Sequence, residues 1–242
     1  MLRVVSFLLA FALIYVTAIR SGRIVGGNNV IPGELPFQVS LRFWGSGFHF
    51  AGGALLNERW VLTAGNYLVG RENNSISIVV GTTSLTANVV NHRSDRIIVH
   101  ENFNRDQNLN NIGLVRSAIL IQMTVLVQPI PLGTNIISPP TTARVSGWGA
   151  TDSDKGPDSN FLQSRFVEVI NCQNTRYFNA LSQHLCAEAT ICTTDIGGPL
   201  TVSNQLIGIA AWHDPLSCGN SASQDFYMRI SFFRNWILGI IN

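Results

Sequence analysis

Short runs of β-branched and aromatic residues alternate with turn residues along most of the chain. Each run is bounded by Gly, Asn or Pro, which is typical of β-strands. The clearest predicted strands are FQVSLRF, SISIVVGT, DRIIVH, TARVSGWG, LIGIAAWH and FYMRI. A helical period appears near the end, with apolar residues at Phe232, Phe233, Trp236, Ile237 and Ile240. The pattern predicts an all-β barrel or sandwich followed by a terminal helix, which Ser231 could cap.

The length and composition allow one ordinary globular domain or two small ones. The chain has 242 residues, of which 46% are hydrophobic and 12% charged, so it has ample apolar material for a core. No repeat, low-complexity tract or linker divides it. The formal charge is only +2 and the arginines are scattered singly, which gives no argument for a nucleic-acid partner or an anionic membrane.

The first residues have the pattern of a secretory signal peptide. One basic residue precedes an apolar run, and the small residues of VTA at Val16–Ala18 suit a signal peptidase. A membrane anchor is the alternative, but the run Val4–Ala18 is short for a bilayer span. We therefore expect residues 1–18 to be a signal peptide, and the protein to be extracellular without a membrane anchor.

The cysteines and one sequon fit an extracellular protein. Four cysteines in a secreted chain favour two disulfides, and none of them forms a CxxC pair that would indicate zinc. Asn73 begins the tripeptide NNS and is a possible glycosylation site. No cofactor or metal is expected. The four cysteines are Cys172, Cys186, Cys192 and Cys218.

Nine segments, in order, resemble the trypsin/chymotrypsin family of serine proteases, and look most like its invertebrate members. They are RIVGG, PFQVSLR, ALLNERWVLTAGN, IIVHENFN, NNIGLV, VQPIPL, VSGWGAT, DIGGPL and FFRNWI. The resemblance covers residues 24–242 as one domain, preceded by a short activation peptide at residues 19–23. It implies two six-stranded antiparallel barrels with a cleft between them and a short C-terminal helix.

The three catalytic positions of that family are all substituted in this sequence. A triad needs a nucleophile, an imidazole base and a carboxylate that orients the base. The position of the base holds Asn66, and that of the carboxylate holds Asn111. The position of the serine holds Ile196, which has no nucleophilic atom. The resemblance therefore implies a protease homologue without a triad.

The oxyanion site and the specificity pocket also depart from the family. Thr194 replaces the glycine whose N–H stabilises the oxyanion, and a β-branched residue resists the backbone angles that glycine allows. Thr190 stands at the pocket floor, and Trp212 keeps the aromatic wall. His213 and Asp225 occupy positions that are usually glycine, so we expect a narrowed or plugged pocket.

His213 has a second interpretation, in which it binds a ligand or metal together with Asp214 and Asp225. The resemblance also implies how the cysteines pair, as Cys172–Cys186 and Cys192–Cys218. A third family disulfide is missing as a pair, because its two positions hold Ala51 and Tyr67.

The activation residues of the family are all present. Cleavage after Arg23 would free the amine of Ile24, and Asp195 is the carboxylate that binds it in the family. In some family zymogens that aspartate rests on a histidine and a serine, which correspond to His49 and Ser40. These residues predict a cleavage-triggered switch. The alternative is that they persist only as hydrogen-bonding residues of the core.

These observations favour a secreted, non-catalytic serine protease homologue. It would act by binding a protein, either a protease, a protease substrate or another component of a proteolytic cascade. One alternative is a serine-type endopeptidase with weak or altered activity. Another is a small-ligand binder that uses Trp212 and His213 as walls of the former cleft.

Overall fold

The computed structural model describes four stretches of the chain, residues 27–150, 157–172, 181–213 and 223–242. Several predictions concern residues outside these ranges. They are the signal segment 1–18, Arg23, Ile24, Asp214 and Cys218.

Strands are the main regular secondary structure of the described residues. They are β1 Asn28–Asn29, β2 Gln38–Phe43, β3 His49–Leu55, β4 Trp60–Thr63, β5 Ile76–Val79, β6 Asn91–Val99, β7 Gly113–Ser117, β8 Thr141–Gly147, β9 Gln163–Ile170, β10 His184–Glu188, β11 Pro199–Val202, β12 Gln205–Trp212 and β13 Gln224–Arg229. Three 3₁₀ turns lie between them, at Gly65–Tyr67, Leu181–Gln183 and Thr193–Asp195.

Six strands close into the first barrel, in the order β2-β3-β4-β7-β6-β5 with antiparallel neighbours. Its interior is mainly aliphatic and buried, with Val39, Leu41 and Val115 among the residues packed together. A bulge in the β2–β3 pairing between Leu41 and Arg42 sets Arg42 opposite His49. That register places two polar side chains of the candidate site side by side.

The second barrel contains β8 to β13, which are joined in the order β9-β10-β13-β12-β11-β8 and closed by the β8–β9 pairing. The short strand β1 adds to its edge on β9. Its core includes Val145, Leu200 and Tyr227, all buried. The predicted fold of two six-stranded antiparallel barrels is therefore confirmed.

Helix α1, Ile230–Ile241, ends the chain as predicted but begins one residue early. Its N-cap is Arg229, without a side-chain cap, so the expectation that Ser231 caps the helix is wrong. Phe233 and Ile237 are buried, whereas Phe232 is 51% exposed. The face that packs on the barrels is thus narrower than the sequence pattern suggested. No helix among the described residues is long and apolar enough to cross a membrane.

Candidate functional site

Asn66 and Asn111 meet at the ends of two strands of the first barrel. Asn66 lies in the 3₁₀ turn that follows β4, and Asn111 precedes β7. The Oδ1 atom of Asn111 accepts a hydrogen bond from the Asn66 backbone N–H at 2.7 Å. Its Nδ2 donates to the carbonyl of Ala211 in the second barrel at 3.0 Å. Asn111 is buried, and both ends of its carboxamide are used.

Ile196 follows the 3₁₀ turn Thr193–Asp195 and is buried in the core of the second barrel. Its carbonyl accepts from the Gly52 N–H at 3.0 Å, which ties the turn to β3. Tyr67, next to Asn66, donates its hydroxyl to the carbonyl of Thr193 at 3.0 Å. The two barrels are therefore joined around the three positions that the sequence singled out.

One of the two backbone donors expected at the oxyanion position, the N–H of Ile196, is engaged within its own turn. A serine protease uses the N–H of the nucleophile residue as one of its two oxyanion donors. Here the N–H of Ile196 points to the carbonyl of Thr193 at 3.4 Å. The hydroxyl of Thr194 donates to the Asp158 carboxylate at 2.6 Å. Burial raises the pKa of Asp158, while the bond from Thr194 lowers it.

Asp195 is buried and held by backbone N–H groups. Its Oδ1 atom accepts from Gly149 at 2.7 Å, and its Oδ2 atom accepts from Cys192 at 3.0 Å. A side chain at Gly147 or Gly149 would collide with this carboxylate. The bend around Asp195 therefore requires two glycines in the neighbouring loop.

Ser40, Arg42 and His49 form a chain of hydrogen bonds. The Nε–H of Arg42 donates to Ser40 Oγ at 3.0 Å, and a hydrogen bond of 2.9 Å joins Ser40 Oγ to His49 Nδ1. Burial lowers the pKa of His49 to about 4, while the Thr194 carbonyl raises it and the Arg42 charge lowers it further.

The predicted association of Asp195 with this pair is not part of the described hydrogen bonding. Ser40 bonds to His49 and Arg42, and His49 bonds to Ser40. Asp195 instead accepts from the two backbone groups given above. The structure therefore brings Ser40 and His49 together and holds Asp195 by a separate set of contacts.

Asp225, which the resemblance places in the specificity pocket, is a buried carboxyl group. Asp225 Oδ2 accepts from the backbone N–H groups of Thr190 at 2.6 Å and Ile191 at 2.9 Å. Burial raises the pKa of Asp225 to about 8; the backbone bonds lower it, and the charge of Asp195 raises it. His213 is also buried, and Trp212 packs on the Phe226 ring at 5.3 Å.

The predicted Cys172–Cys186 disulfide is present and ties the end of β9 to β10. Cys192 is also disulfide-bonded, and its predicted partner Cys218 lies outside the described residues. At the position of the missing pair, the Tyr67 ring lies 6.1 Å from that of Phe50. Tyr67 holds one of the two positions at which the family disulfide is missing. Its ring packs against Phe50 there.

The structure also describes the possible glycosylation residue Asn73 and part of the possible metal site at His213. Asn73 is exposed, and its Oδ1 atom accepts from the Ile97 N–H at 2.8 Å. Within the described ranges, no group of three or more His, Cys, Asp or Glu residues could hold a metal ion. The possible metal partner Asp214 of His213 is outside those ranges.

Three contacts of this site were missed from the sequence. Asp158 binds Thr194 from 36 positions away, and Ala211 accepts from Asn111 across 100 positions. Arg42 lies close to Ser40 in sequence, but a single arginine in a strand gives no sign that it is buried. Only the strand register could have indicated that Arg42 faces His49.

Comparison with known proteins agrees with this architecture. The family model named Trypsin matches residues 24–237. Chymotrypsin-2 of Vespa crabro is 32% identical over 221 residues, covering 88% of this chain and 98% of the relative. Serine protease SP24D of Anopheles gambiae is 33% identical over 227 residues, covering 90% of this chain and 81% of the relative.

Solved structures have the same fold. Neuropsin from mouse brain gives a TM-score of 0.81 at 24% identity, over 90% of this chain and 100% of that chain. A mutant of human heparin binding protein gives a TM-score of 0.76 at 28% identity, over 90% and 96%. Fold and site together define a two-barrel protein of the serine protease type. The chain belongs to the trypsin family.

Proposed function

We propose that this protein is a secreted, non-catalytic member of the trypsin family that acts by binding another protein. The observation that carries the proposal is the Asn66–Asn111 hydrogen bond. It joins the backbone of Asn66 to the carboxamide of Asn111, the residues at the expected positions of the base and its orienting carboxylate. A carboxamide has no useful basicity near neutral pH, and Ile196 beside this site offers no nucleophile.

The size of the expected loss supports this reading. Loss of one oxyanion donor typically costs about 10²–10³ in rate. Loss of a triad as a unit costs on the order of 10⁶. Both features depart from the family pattern here, so the residual rate would fall to the level of peptide-bond hydrolysis assisted by binding alone.

The Ser40–His49 pair does not offer a substitute. A serine–histidine hydrogen bond is the pairing that nucleophilic catalysis needs. However, Ser40 is 0% exposed and His49 is 5% exposed, so a peptide bond has no access to the hydroxyl. The Ser40 oxygen also accepts a hydrogen bond from Arg42, in addition to its bond with His49 Nδ1. This arrangement suits a core network.

The role that fits best is that of a regulator or cofactor in a proteolytic cascade. The apolar N-terminal run supports secretion, and the retained Arg23–Ile24 junction supports control by cleavage. Asp195 is a buried carboxylate of the kind that could receive a new N-terminal ammonium group, given good geometry. The partner would be a protease, a protease substrate or a cascade component, and cleavage after Arg23 would change its affinity.

The first test uses a fluorophosphonate probe, which labels activated serines. The purified protein should stay unlabelled before and after cleavage, while an equal amount of active trypsin is labelled. Labelling of this chain that is lost on heat denaturation would instead favour a serine-type endopeptidase with altered activity.

The binding role is tested by depletion. The protein would be removed with an antibody from the extracellular fluid in which it occurs, and the rate of proteolytic cascade activation measured. Depletion should change that rate by several-fold, and adding back the protein should restore it. An unchanged rate, with no loss of other proteins on depletion, would contradict the regulatory role.

A further inference from the structure

A second concave site lies on the first barrel and shares no residue with the candidate site. It is a groove of about 540 Å³, formed between residues 80–92 and residues 119–127. One wall is the connection from β5 into β6, and the other is the segment that follows β7. This volume is within the range of about 300–1,000 Å³ that small-molecule sites occupy.

The lining of the groove is mainly aliphatic and partly exposed, with uncharged polar side chains at Asn88, Gln122 and Thr124. Val90 is 69% exposed, and Ile119 and Leu120 are each 59% exposed. Among the described residues that line the groove, none is Asp, Glu, Lys or Arg. Clustered exposed aliphatic side chains commonly mark a binding site, and single ones do not. The groove therefore offers an apolar surface without a charge to recognise an ion.

His92 supplies a buried polar group to this lining. It lies on β6, opposite Ile78 of β5, and its side chain is only 8% exposed. Its Nδ1 atom is buried and has no hydrogen-bond partner in the described structure. Buried polar atoms are nearly always paired, so each exception requires an explanation. Burial lowers the pKa of His92, which leaves the ring neutral near pH 7.

We propose that this groove binds a neutral amphiphile, with an aliphatic body against Val90, Ile119 and Leu120 and one hydroxyl or amide head that hydrogen-bonds His92. A charged head group would lose its hydration without gaining a counter-charge, because the described lining contains none. The site lies outside the former cleft. The proposal therefore goes beyond the proposed function and does not depend on it.

The test is a fluorescence titration of the full mature chain with N-phenyl-1-naphthylamine, a neutral apolar probe. Probe binding should be saturable at one site. 1-Decanol should displace the probe at a concentration about tenfold lower than decanoate or decylammonium. The exposed double variant V90E/I119E should weaken probe binding by at least about tenfold.

Two further variants separate the contacts. I136E/F232E is the matched control, because Ile136 and Phe232 are also exposed but lie outside the groove. This control should bind the probe as the unmodified chain does. His92→Leu should keep probe binding but lose the tenfold advantage of decanol. Circular dichroism and thermal melting establish that each variant is folded.

Three results would overturn the proposal. The first is equal probe binding by V90E/I119E and the control, and the second is displacement by decanoate or decylammonium as effective as that by decanol. The third is a dimer, seen by size-exclusion chromatography, that V90E/I119E abolishes while the unmodified chain binds no probe. That last result would assign the groove to a second copy of this chain.

Discussion

Asn111 is a residue whose chemistry suits its present surroundings better than an aspartate would. Its carboxamide accepts from the Asn66 N–H and donates to the Ala211 carbonyl. An aspartate could keep the first bond, but it would turn a carboxylate oxygen toward the carbonyl of Ala211. The buried surroundings of Asn111 are therefore matched to a carboxamide.

Asn111→Asp should lower the free energy of unfolding by about 1–3 kcal/mol at pH 7, because a buried donor is replaced by an unpaired charged acceptor. Urea denaturation measures the change. Asn102→Asp is the control, since Asn102 is exposed, and its effect should stay within about 0.5 kcal/mol. Equal stability of the two variants would argue that the hydrogen bond from Asn111 Nδ2 to the Ala211 carbonyl does not stabilise the fold.

Asp225 should make the protein less stable as the pH rises. The folded pKa of about 8 lies above the ordinary value of 3.8, so the native state binds more protons between these values. The free energy of unfolding therefore falls as the pH increases through this window, by at most about 1.4 kcal/mol per pH unit. The contribution is fully present below about pH 4 and is lost as the pH passes 8.

Asp225→Asn removes this titration and keeps an oxygen acceptor for Thr190 and Ile191. Compared with this variant, the unmodified chain should lose stability between pH 5 and pH 8 in urea denaturation. Asp106→Asn, at an exposed aspartate, should leave the pH profile unchanged. A constant difference between Asp225→Asn and the unmodified chain across this range would rule out the raised pKa.

The substituted residues of the candidate site could be predicted from sequence, whereas their partners could not. Asn66, Asn111 and Ile196 stand inside short motifs whose order is readable along the chain. Their contacts with Ala211 and Asp158 depend on how the two barrels dock. Local sequence carries no information about such long-range pairs.

At the scale of the element, the turn Thr193–Asp195 is held from several directions. Tyr67 and Gly52 reach it from the first barrel, and Gly149 reaches Asp195 from the loop after β8. Each of these bonds has a backbone group at one end or at both, and none involves the side chain of Ile196.

Gly149→Ala should destabilise this element by about 1–3 kcal/mol, because the new methyl group would displace the buried Asp195 carboxylate. Gly239→Ala is the matched control. Its new methyl group would meet nothing within 4 Å in helix α1, so it should stabilise the protein by about 0.5–1 kcal/mol. Thermal melting measures whether each variant is less stable or more stable than the unmodified chain. If Gly149→Ala left the melting temperature unchanged, the loop would be able to move and accommodate the methyl group without loss of stability.

Strands were predicted most accurately where turn residues mark their ends in the sequence. The six predicted segments each overlap an observed strand, although DRIIVH and LIGIAAWH run one residue past the ends of β6 and β12. Strand β3 was harder, because all seven of its residues are buried and no alternation appears. The helix cap was placed wrongly because Ser231 has the preferred residue type, while β13 runs directly into α1.

At the scale of the whole molecule, contacts that cross between the barrels do not depend on catalytic chemistry. Gly52 bonds to Ile196, Ser146 donates to Gln38 at 2.6 Å, and Asn111 reaches Ala211. Each barrel also has its own buried core. The strand pattern alone could not give this topology, because pairing is a long-range property. The ordered motifs supplied it through the family resemblance.

The central claim is that the chain cuts no peptide bond, and a mixed peptide library tests it most directly. The protein would be assayed before and after trypsin cleaves at Arg23, with the trypsin then removed. The variant Arg23→Gln, treated in the same way, corrects for any residual trypsin. The account predicts no cleavage by either form of the unmodified chain. Peptide cleavage by the processed form, absent from Arg23→Gln and from Asp195→Ala, would contradict it.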